Sequence, residues 1–127
     1  MSESKPPVGS ITWRDLTVPD AEAVRDFYCR VVGWEATDHD MGEYADFNIN
    51  LPGTGETVAG ICHARGANEN IPPQWLIYIT VADVEESARL CVEGGGEVVD
   101  GPRTTGSYTF CVIRDPAGAV CGLINGG

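Results

Sequence analysis

Residues 74–90, Gln-Trp-Leu-Ile-Tyr-Ile-Thr-Val-Ala-Asp-Val-Glu-Glu-Ser-Ala-Arg-Leu, restate an earlier part of the chain when shifted back by 63 positions. Thr80 then falls on Thr17, Val81 on Val18, Asp83 on Asp20 and Glu85 on Glu22, and each block runs on to a glycine, Gly96 against Gly33. The same gapless shift lays Phe110 on Phe47 and Ile124 on Ile61, so the correspondence spans both halves. These identities are a thin repeat by themselves. They gain weight because the alternating and helical patterns coincide as well. Half of 127 residues is marginal as an independent core, so the repeat predicts two modules within one domain.

Each half reads as β-α-β-β-β. In the first, Ile11 to Val18 alternates like a half-buried strand, Pro19-Asp20 stops it, and Asp20 caps a helix from Ala21 to Val32. Val24, Phe27, Tyr28 and Val31 form its apolar stripe, and Gly33 closes it. Strands are expected over 34–38, 43–51 and 58–62, followed by a linker over 64–73. In the second half, 75–81 alternates, Asp83 caps a helix through Val92, and Gly94-Gly95-Gly96 ends it. Strands over 97–100, 108–114 and 119–124 complete the module, with 101–106 as a glycine-bounded loop carrying Arg103. Residues 1–9 read as a disordered leader, leaving one domain over 10–127 made of modules 10–63 and 74–127.

A net charge of −11 with only 8 Lys and Arg argues against nucleic acid or an anionic membrane as partner, because both are held by basic side chains. Five cysteines in irregular spacing, in apolar or helical surroundings, read as reduced thiols of a cytoplasmic protein. The first residues contain no apolar run of the kind an export signal needs, and no stretch is long enough to span a bilayer.

The capping aspartates, the glycines that end both helices and above all the terminal Asp115-Pro116-Ala117-Gly118-Ala119-Val120-Cys121-Gly122-Leu123-Ile124 give the chain its family likeness. It resembles the vicinal oxygen chelate superfamily: glyoxalase I, bleomycin-resistance proteins, fosfomycin-resistance enzymes and extradiol dioxygenases. The resemblance implies an α+β fold in which two βαβββ modules pair into a cup-shaped mixed sheet with helices outside. It implies a ligand or a divalent metal inside the cup, and a homodimer.

Metal ligands in such a family are His and Glu on the first and last strands of each module. Carried onto this chain, those positions are Trp13 and Leu76, then Ala59 (or Gly60 on a one-residue slip) and Gly122. None supplies the nitrogen or carboxylate donor such a metal requires. No metal or other cofactor is therefore expected, and a donor set rebuilt from Asp15, Asp46 and His63 is the alternative. Alternation places Trp13, Asp15, Thr17, Tyr44, Asp46, Asn48, Asn50, Leu76, Tyr78, Thr80, Ser107, Thr109 and Cys111 on the inner faces. The expected ligand-binding set is Trp13, Asp15, Tyr44, Asp46, Asn48, Leu76, Tyr78 and Thr109, with Asp15 and Asp46 as candidate general bases. The expectation is metal-independent binding of a small organic molecule, as in bleomycin-resistance-type sequestering proteins. The alternative is a glyoxalase- or dioxygenase-like lyase or isomerase with a non-standard site.

Overall fold

The computed structural model describes residues 6–126, and the part of the expected leader that covers residues 1–5 lies outside the described residues. The chain forms two compact units, Arg14–Trp75 and the remainder. The fold class is α+β, as expected.

In the first unit, β1 (Ile11–Val18), α1 (Ala21–Val32), β2 (Glu35–Asp40), β3 (Ala45–Asn50) and β4 (Thr57–His63) follow one another, and the strands lie in the order β2-β3-β4-β1. β1 runs parallel to β4, and the other pairings are antiparallel. The crossover between the parallel strands carries α1, which starts where Asp20 accepts a hydrogen bond from the Ala23 N–H. It ends at Gly33, where φ is 90° and the N–H donates to the Cys29 carbonyl.

The core of this unit is Leu16, Val18, Phe47, Ile49, Ala59 and Ile61 under Ala21, Val24 and Tyr28 of α1. The expected helix stripe is split. Phe27 and Val31 are 56% and 63% exposed, because Ala21, Val24 and Tyr28 set the line that meets the sheet and Phe27 lies a hundred-degree step round the helix from Tyr28. Tyr28 also gathers Trp34 and Trp75, whose Nε1–H donates to the Tyr28 hydroxyl at 3.0 Å. Trp75 thus fastens the end of the linker to α1.

The second unit repeats the plan with β5 (Trp75–Thr80), α2 (Val84–Glu93), β6 (Glu97–Thr105), β7 (Tyr108–Arg114) and β8 (Val120–Gly126), in the order β5-β8-β7-β6. β5 is parallel to β8. Asp83 caps α2 by accepting from the Glu86 N–H. Val84 and Ala88 of this helix pack with Cys111 and Leu123, and Ile79, Val81, Val98 and Ile113 close around them. Ile77, expected in the same layer, is 42% exposed. Of the segment expected as leader, residues 6–9 are placed: the Gly9 N–H donates to the Thr80 carbonyl, and the Thr80 N–H donates back to Ser10.

Two expectations change here. Residues 101–105 of the expected loop are instead the second half of β6, with Arg103, Thr104 and Thr105 paired to Phe110, Thr109 and Tyr108. A register shift between Asp100 and Arg103 absorbs the Gly-Pro pair, and Gly101 sits at φ 86° where an added Cβ would meet the Phe110 carbonyl at 2.9 Å. The gapless repeat also breaks. Cys111 and Ile113 hold the places of Phe47 and Ile49, an offset of 64, while Leu123 holds that of Ile61, an offset of 62. Cys111, and with it Thr109, therefore lies on the helix side of β7 and not on the inner face, and Ser107 stands in the turn before the strand.

Candidate functional site

The face of each sheet away from its helix is built from rows of side chains, and the rows of the two units correspond. In the first unit Asp15, Gly60 and Asn48 stand side by side across β1, β4 and β3. In the second, Tyr78, Gly122 and Val112 stand across β5, β8 and β7. The next rows are Thr17, Cys62 and Asp46 against Thr80, Ile124 and Phe110. One face is polar. Its counterpart is apolar apart from Thr80.

The last-strand positions named for a metal ligand are thus Gly60 and Gly122, the one-residue slip being the correct reading of the first module. At Gly122 the residues do not fit a metal ligand. The Tyr78 ring lies flat on this glycine, so that a Cβ there would come within 2.3 Å of two ring carbons. Tyr78 and Leu76 are themselves buried, at 6% and 0% exposure. A His or Glu side chain at 122 has no room while the ring is in place. Among the described residues, no three His, Cys, Asp or Glu side chains are grouped as a metal ion requires.

The first unit holds the ionisable chemistry. Asp46 Oδ1 accepts from the backbone N–H of His63 at 2.9 Å and stands 3.1 Å from its Nδ1. The Cys62 thiol hydrogen-bonds the same carboxylate, with Asp15 close enough to act on it electrostatically. Asn50 is fully engaged, donating to Thr37 and accepting from Thr57, so it ties β2, β3 and β4 together. Asn48 and Trp13 are half-buried, and one carboxylate oxygen of Asp15 is buried. Tyr44 precedes β3, with the Arg65 guanidinium 4.0 Å over its ring.

In the second unit Thr109 lines an open hollow of about 310 Å³ with Asn125 and the start of α2. Its hydroxyl shares a 2.9 Å hydrogen bond with Thr104. Arg103 donates to Asp100 at 3.2 and 2.6 Å and lies over Phe110, a place in the sheet rather than in a loop. The sequence grouped Asp46 and His63 only as members of an alternative metal-donor set; the direct contact between them, across 17 residues, comes from the structure. The signal that could have found it is the β3–β4 register, which sets Phe47 beside Ile61 and so brings these strand ends together.

Burial pushes the Cys111 thiol up to about 11, with Cys91, Cys121 and Asp100 adding to it. Burial, then Asp15 and Asp46, drives Cys62 well above the ordinary thiol range. Both thiols keep their protons in the folded chain where the unfolded chain has lost them. The folded state therefore binds more protons once the pH passes about 8.5, and stability falls as pH rises from there. The urea midpoint is expected to drop between pH 8 and pH 10, and Cys62 and Cys111 are expected to resist alkylation in the native protein at pH 8. Mass spectrometry of the alkylated chain reads the second outcome.

A family model described as Glyoxalase/Bleomycin resistance protein/Dioxygenase superfamily matches residues 9–121. CFP32 of Mycobacterium tuberculosis (strain CDC 1551 / Oshkosh), whose name marks it as a candidate glyoxylase, is 36% identical over 121 residues, covering 91% of this chain and 45% of its own. The anthracycline biosynthesis protein DnrV of Streptomyces peucetius is 30% identical over 127 residues, covering 87% of this chain and again 45% of its own. The chain thus spans about half the length of these curated relatives. Among solved structures, methylmalonyl-CoA epimerase of Streptomyces coelicolor superposes with a TM-score of 0.54 at 18% identity, over 95% of this chain and 99% of that one. That likeness concerns the fold alone. The chain belongs to the Glyoxalase/Bleomycin resistance protein/Dioxygenase superfamily.

Proposed function

We propose that the protein binds a small organic molecule without help from a divalent metal. The observation that carries this reading is the Tyr78 ring on Gly122, which puts an aromatic surface where a metal ligand of the family would project. On the face away from α1, the first unit separately offers Asp15, Asn48 and Thr17 as hydrogen-bonding groups. Aromatic surface and a few placed polar groups of this kind suit a flat ligand with polar substituents. The net charge of −11 favours a cationic or neutral ligand over an anionic one. The name of DnrV points to one compound class with those properties, the anthracyclines, which carry fused rings, hydroxyls and an amino sugar.

Thermal unfolding with and without an anthracycline tests the reading. At a hundredfold excess over the dissociation constant, the ligand is expected to stabilise the folded chain by about 2.7 kcal/mol. Trp13→Ala is expected to weaken binding at least tenfold by removing a ring from the same strand as Asp15. Equal affinity in Trp13→Ala and the parent would remove Trp13 from the site. Homodimer formation, which the family resemblance implies, is part of the same proposal, and sedimentation equilibrium reads it directly.

A further inference from the structure

We propose that Asp46 and His63 form a proton-accepting dyad, with His63 Nε2 as the base, that receives the acidic hydroxyl of a phenol or enol. An ionised carboxylate only accepts hydrogen bonds, so the 3.1 Å approach of Asp46 Oδ1 to His63 Nδ1 places the imidazole proton on Nδ1. Nε2 is left with its lone pair. The same oxygen also accepts the His63 backbone N–H at 2.9 Å, which fixes carboxylate and imidazole to one backbone position. Asp46 is 8% exposed and His63 17%, so the orienting group is buried while the base retains an edge to solvent. Asp46 thereby becomes a positioning residue, and the role of general base moves to a histidine.

The surroundings suit the anion that proton transfer leaves behind. Tyr44 meets the imidazole edge-on at 5.3 Å between centroids, and Phe47 lies at 5.9 Å. Each of these rings carries a guanidinium, Arg65 over Tyr44 at 4.0 Å and Arg25 over Phe47 at 4.5 Å. Two of only eight basic side chains in an acidic protein therefore converge about one imidazole. Their partners are on the periphery: Asp26 pairs with Arg25 and is 71% exposed, and Glu43 stands 4.0 Å from Arg65 and is 92% exposed. The proton passes from the ligand O–H to Nε2, giving an imidazolium beside Asp46 and a phenolate or enolate that faces Arg65. Return of the proton restores both partners, and no other reactant is needed. Tyr44 supplies a ring on which a flat ligand stacks. The inference stands apart from the metal-free reading of Gly122: each can fail while the other holds.

The probe is 4-nitrophenol, whose phenolate is yellow. Below the phenol's own pKa, adding the full chain is expected to raise phenolate absorbance, and His63→Gln is expected to abolish the rise. Nitrogen NMR of the imidazoles is expected to show the His63 proton on Nδ1 in the parent and to show that preference lost in Asp46→Ala, which removes the acceptor facing Nδ1. A merely structural Asp46 would not move that proton. A His63 protonated on Nε2 in the parent chain overturns the dyad without reference to any variant. Phenolate absorbance that fails to rise, or rises equally with His63→Gln, overturns the ligand assignment.

Discussion

Gly122→Ala is expected to destabilise the protein by about 3 kcal/mol, at the upper end of what overpacking a filled core costs. The added methyl would lie 2.3 Å from the Cδ2 and Cε2 atoms of Tyr78, a separation no rotamer of alanine relieves. The ring must move instead. It is buried, as are its row neighbours Gly122 and Val112, so there is little room to receive it. Against a total stability of roughly 5–15 kcal/mol, that loss lowers the urea midpoint severely. Tyr78→Ala in the same chain removes the clash, so the pair is expected to be less damaging than the sum of its singles, with a coupling above about 1 kcal/mol. Strict additivity in that double-mutant cycle would mean that the ring does not occupy the place of the missing side chain.

Asp46→Ala is expected to cost a similar amount, about 3 kcal/mol, for a different reason. Its carboxylate accepts the His63 backbone N–H and the Cys62 thiol and faces His63 Nδ1, all in a nearly dry part of β3 and β4. Alanine leaves those donors without their acceptor, and a buried donor stripped of its partner costs more than the hydrogen bond was worth. Asp46→Asn keeps the shape and one acceptor oxygen, so it is expected to lose less than half as much. Urea denaturation of the two variants checks the order. Equal losses would mean that the charge, rather than the acceptor, is what these strands require.

Much of the architecture was legible in local chemistry. Asp20 and Asp83 announce helix starts, and Gly33 announces a helix end, because each feature satisfies backbone groups within a few residues of itself. Alternation in β1 and β5 correctly separated Leu16, Val18 and Ile79 from Asp15, Tyr78 and Thr80, since a buried sheet face imposes its period on the residues. Register was not legible to the same degree. Offsets of 64 at β7 and 62 at β8 arise from unequal connections, and a slip of one residue moves a side chain to the other face; that is why Thr109 and Cys111 were assigned to the wrong side. Gly101 and Pro102 carry every local sign of a loop, yet pairing with β7 made them part of a bulged strand. The Asp46–His63 contact depends on strand pairing that no window of the sequence contains.

The same limit applied to the vacated metal position. That residue 122 is a glycine is plain from the sequence, but only the register of β5 against β8 shows the Tyr78 ring lying on it. On the proposed reading, position 122 offers a ligand an aromatic surface instead of a Lewis acid. A metal-free site is therefore the central claim, and elemental analysis of protein purified without chelator tests it most directly. The account predicts divalent metal well below one equivalent per chain, whereas one tightly held divalent ion per chain would contradict it.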